Sequence, residues 1–89
     1  VPVKVSEGFS TSQVAVTTAA SKVVPGAPGR DTVTLYNTGT ATAYVGNTAN
    51  VTASTGFPIV AGAALVMEAT ADIWAIGAAA TTLAVLQEG

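Results

Sequence analysis

The chain of 89 residues contains no cysteine and no histidine. Without cysteine there is no disulfide to staple a small fold, and without either residue a structural zinc site has no ligand set. Charge is nearly as scarce: three Lys and Arg against five Asp and Glu, 9 % of the residues where about 25 % is usual. Lys4, Lys22 and Arg30 are scattered, the net charge is −2, and no basic track exists to displace phosphate counterions, which excludes nucleic acid as a partner. Apolar runs are short, so no transmembrane helix is expected and no membrane partner. "VPVKVSEGFS" lacks the apolar centre of a signal peptide, and a first residue Val fits removal of an initiator Met. The expectation is a protein made and used without export.

Catalysis is short of material too. General acid-base or nucleophilic chemistry needs a titrating group held against an orienting partner. Only Glu7, Asp31, Glu68, Asp72 and Glu88 are available beside three cations and many hydroxyls. Glu68 and Asp72 are near enough in sequence to suggest a glycosidase pair or a calcium site, but solvated carboxylates at strand ends are the simpler expectation. "VVPGAPGR" lacks the Gly-Lys-Ser/Thr of a phosphate loop and reads as a turn. Arg30 and Asp31 read as a polar strand end, and Asn50-Val51-Thr52 as a chance glycosylation pattern. No enzyme activity and no cofactor are expected.

What is present is apolar, at 49 % of the residues, in short runs separated by turn residues. "SQVAVTTA" sets Val14 and Val16 on one face, and "RDTVTLYN" sets Val33 and Leu35 opposite Thr32, Thr34 and Tyr36. Asn37 and Gly39 predict a hairpin into "ATAYVGN". Further segments follow at "NVTA", "FPIV", "ALVMEA", "DIWAIG" and "TTLAVLQ", with Pro58 marking an edge or strand start. Propensity alone would allow a helix through "IGAAATTLAVL", which Gly77 and the paired threonines oppose. The expected architecture is all-β: one antiparallel β-sandwich, jelly-roll-like or Greek-key, of about seven to eight short strands over residues 13–89. Residues 1–12 read either as a mobile terminus or as an extended N-terminal arm, in which Val1, Val3 and Val5 alternate and would pair with a neighbouring edge or lie on another subunit.

"DIWAIGAAATTLAVLQ" does not alternate. Ile73, Trp74, Ala75 and Ile76 are apolar toward both faces, and Leu83 to Leu86 repeat the pattern. A two-layer sandwich covers only the inner face of each sheet, so large apolar side chains would remain outside, a mark of association. A tight barrel whose bulges swap faces is the alternative. The expected interface residues are Val1, Val3, Val5, Phe57, Trp74, Ile76, Leu83 and Val85, and the economical cover is another copy in a closed dimer or trimer.

From Arg30 to Gly89 the chain resembles small virion proteins of tailed bacteriophages, of the head-decoration (cement) and head-fibre kind. The likeness runs through Arg30 opening a strand, Val33 and Leu35, the Asn37 and Gly39 turn, and Ala43-Tyr44-Val45-Gly46. It continues through Val51-Thr52, Thr55-Gly56-Phe57-Pro58-Ile59, the Ala61-Gly62 turn, Asp72-Ile73-Trp74-Ala75-Ile76 and a closing strand ending at Glu88. The resemblance implies a β-sandwich that assembles as a trimer on the capsid exterior, made in the host cytoplasm and bound to the major capsid protein and its own copies. It carries no catalytic residue across. A second expectation is a receptor- or glycan-binding module of a head fibre or tail, with Tyr44, Phe57 and Trp74 on one surface.

Overall fold

Apolar residues two apart decide most of the architecture. In the computed structural model, which describes residues 9–88, Val14 and Val16, Val33 and Leu35, Ala43 and Val45, Ile73 and Ala75, and Leu83 and Val85 all face one common core. They lie on β1 (Phe9–Val16), β3 (Thr32–Asn37), β4 (Ala43–Gly46), β7 (Ile73–Gly77) and β8 (Thr81–Glu88). The remaining strands are β2 (Ser21–Val24), β5 (Phe57–Ile59) and β6 (Ala64–Met67). Among the described residues there is no helix. The Ala-rich stretch is β7, three alanines of turn, and β8.

Two antiparallel four-stranded sheets form a sandwich, with orders β1-β8-β3-β6 and β2-β7-β4-β5. Strand pairing is nested: β1 with β8, β2 with β7, β3 with β6, and β4 with β5. One long hairpin, folded over on itself, gives this order, which is that of a jelly roll. Only β4 and β5 are neighbours both in sequence and within a sheet, so every other connection crosses between sheets.

That crossing corrects the hairpin expected at Asn37 and Gly39. β3 and β4 lie in opposite sheets, and the turn is an arch. Asn37, fully buried, builds it: its amide nitrogen donates to the carbonyls of Ala41 and Ile59, both at 2.7 Å, while its Oδ1 accepts from Gly39 N and Thr81 Oγ1. A Cβ at Gly39 would overlap Thr81 Oγ1 and come within 2.8 Å of Thr82 N, so the close approach requires glycine. Turn chemistry alone does not say which sheet receives the next strand.

Arg30 is a second correction. More than a polar strand end, it is a buried side chain, 6 % exposed. Its Nε donates to Ala69 O at 2.7 Å, Nη2 to Ala71 O at 2.9 Å, and Nη1 to Pro25 O and Gln87 Oε1, both at 3.0 Å. One side chain thus ties the β2–β3 loop, the β6–β7 loop and the end of β8 together. Arg30 and Asn37 fasten opposite ends of the sandwich.

Other boundaries move as well. Residues 9–12, expected in the arm, are the first half of β1 and pair with Val85–Glu88. "NVTA" is not a strand: Val51 is buried on a 47–56 loop, against Gly46 and Gly56. "SKVV" is a strand, with a bulge that buries both Val23 and Val24. Val1, Val3 and Val5 lie outside the described residues.

Candidate interaction surfaces

With Ile73, Ala75 and Gly77 pointing inward, Trp74 and Ile76 must project from the outer face of the second sheet. Register sets Tyr44 beside Ile76 and Pro58, and both Gly46 and Lys22 beside Trp74. Tyr44, Pro58, Trp74 and Ile76 therefore make one apolar patch, and no strand among the described residues covers it. Lys22 borders it, with Nζ 5.7 Å from the Trp74 ring centroid and 3.4 Å from Asp72 Oδ2. Tyr44 was expected beside Trp74 only in the glycan-binding reading, and Pro58 was not expected here, because its membership depends on the β4 and β5 registers.

Asp72 is not a simply solvated carboxylate. The Gly26 N–H donates to its Oδ1 at 2.6 Å and holds the carboxyl below its ordinary value of 3.8; partial desolvation opposes this and Lys22 adds to it. A depressed value means that the contribution to stability is present above pH 3.8 and is lost as pH falls through the folded-state value. Urea unfolding from neutrality to strong acid should therefore show a gap between wild type and Asp72→Asn that closes toward acid. A constant gap would mean that the charge contributes nothing.

The outer face of the first sheet carries Thr11, Gln13, Thr34, Tyr36, Ala84 and Leu86 around a shallow groove of about 270 Å³. Phe9 is 72 % exposed and Val66 63 %. This face corrects one expectation. Leu83 and Val85 are not interface residues: they are 0 % and 2 % exposed, inside the core, because β8 turns them toward Val14, Asn37 and Leu35. Thr82, Ala84 and Leu86 face outward instead. When both faces of a strand are apolar, a one-residue change of register exchanges them, and the sequence does not choose.

Phe57 is exposed, at 59 %, but not beside Trp74. It pairs with the buried Val45 and so has inward parity, at the open edge between β5 and β6. There it lines an apolar groove of about 320 Å³ with Val45, Leu65, Met67, Ala71 and Ile73. The three aromatics expected on one surface are thus divided, with Tyr44 and Trp74 together and Phe57 apart.

Charge is sorted by end. Asp31, Glu68, Asp72 and Glu88 all lie where β3 and β7 begin and β6 and β8 finish. At the other end the loops 17–20, 38–42, 60–63 and 78–80 contain only Thr, Ala, Gly and Val. No group of three or more acidic side chains that could hold a metal ion occurs among the described residues. No helix among them is long and apolar enough to cross a membrane. Compared with protein-family models and with curated proteins, the chain matches none.

Proposed function

We propose that the protein is a structural component of a phage virion, a decoration protein that stabilises the head from the capsid exterior by binding the major capsid protein and copies of itself. The observation that carries this reading is the outward patch of Tyr44, Pro58, Trp74 and Ile76 on a molecule with only eight charged residues. Such a surface suits burial against protein. The resemblance adds the trimer as the closed form. Individual contacts need not be strong, because repetition over a symmetric shell raises effective concentration. The reading requires neither a reaction nor a cofactor.

The test uses heads stripped of the protein. Wild-type protein should rebind and raise the temperature at which heads rupture, while Trp74→Ala should weaken rebinding by about tenfold or more, as loss of a central aromatic anchor does. Failure of the wild type to rebind would overturn the reading.

Glycan binding is the second reading, favoured by one observation: Tyr44 and Trp74 share a face, as a stacking platform for a sugar would require. Jelly rolls serve both capsids and lectins, so the fold does not separate the two. A Trp74-dependent signal on a glycan array would decide for adhesion.

A further inference from the structure

A sandwich has four sheet edges, and natural proteins blunt such edges to prevent stray pairing. Three are blunted here. β2 is broken by the bulge between Lys22 and Val24 and carries the lysine itself. β5 has three residues, with Pro58 at the centre. β6 has four residues and is followed by Glu68.

β1 has none of these devices. It runs for eight residues in unbroken register with β8, without proline, bulge or charge. Phe9–Gln13 are exposed, including Ser10 and Ser12, which have inward parity; β2, in the facing sheet, is half as long. Among the described residues, alternate N–H and C=O groups along its outer edge have no partner strand in the sheet.

We infer that β1 is a pairing edge whose occupant is β1 of a second copy, antiparallel about a two-fold axis, giving a continuous eight-stranded sheet. Two features single out a second copy. A two-fold axis sets residues near the centre against themselves, so a self-pairing edge cannot carry charge there, and the sequence from Gly8 to Ser21 carries none. An axis normal to the sheet also pairs residues of like face. Centred on Ser12, it places Gln13 opposite Thr11 of the second copy and lays the exposed Phe9 against Ala15.

The pairing stands on the edge itself and is independent of the head-decoration reading. It predicts a mass in even multiples of the 8.7 kDa chain: a dimer, or a hexamer if a threefold contact is added. Light scattering on the purified chain tests it. Gln13→Lys, on an exposed position, should weaken association by about tenfold and halve the mass at intermediate concentration, with an unchanged circular dichroism spectrum. Adding Thr11→Glu should restore the mass, because each new carboxylate faces the new ammonium of the other copy. In the wild type, amide exchange across Phe9–Val16 should slow with rising concentration. A monomer at millimolar concentration, an isolated trimer, or a mass indifferent to Gln13→Lys would overturn the inference. So would Gln13→Lys abolishing head binding while the chain is monomeric throughout, which would give the edge to the capsid protein. Failure of the dimeric wild type to bind heads would overturn the decoration reading alone.

Discussion

Arg30→Met is expected to lower unfolding stability by about 2–4 kcal/mol, from the loss of charge-assisted bonds and the stranding of buried carbonyls. A chain of this size has roughly 5–10 kcal/mol in all, so the variant would sit near the edge of folding. Methionine keeps much of the apolar stem, which isolates the polar contribution. Ala69 and Ala71 would lose their guanidinium donors, and Gln87 would lose its partner. Arg30→Lys keeps the charge but presents a compact ammonium where a planar fork reaches two loops and the end of β8, so it should recover no more than about half. Urea midpoints at constant m-value measure both. A loss under about 1 kcal/mol for Arg30→Met would show that water satisfies those carbonyls in its place.

Asn37→Asp should be costlier at neutral pH, by about 3–5 kcal/mol, although the two side chains have nearly the same shape. The asparagine uses its full donor capacity on Ala41 and Ile59, and its oxygen accepts twice. A carboxylate would face those two carbonyls with no hydrogen to offer. Burial and the loss of donors would raise its pKa, so the folded state would bind the proton more tightly than the unfolded one. The sign then reverses relative to Asp72: stability of Asn37→Asp should increase as pH falls through the raised folded-state value toward the ordinary Asp range, and flatten below it. Thermal unfolding across that window checks the slope. A variant that loses stability monotonically with acid would contradict the assignment of Asn37 as a full donor.

Neither fastener was legible in the sequence, and the reason is the same for both. The burial of Arg30 depends on carbonyls 39 and 41 residues away, and that of Asn37 on a threonine 44 residues away. No local pattern encodes such partners. Strands with one wet face were legible, because Val33 and Leu35 opposite three polar residues leave a single choice. Pro58 correctly marked an edge strand, since a missing N–H has a local consequence. For β7 and β8 the sequence showed that both faces are apolar, and only long-range pairing assigned Leu83 and Val85 inward and Trp74 and Ile76 outward. The hairpin at Asn37 failed differently, since Asn and Gly turn a chain equally well within a sheet and between sheets.

The position of the last two strands has a consequence for how the chain is made. β7 and β8 are interior strands, one in each sheet, and β8 is what joins β1 to β3. Synthesis proceeds from the N-terminus, so β1 and β2 emerge long before the strands they pair with, while β3 with β6 and β4 with β5 can already zip together, and neither layer can be completed until β7 and β8 have left the ribosome. Chains truncated before Thr81 would present the uncharged β1 ribbon to one another, an aggregation hazard that pairing with β8 removes.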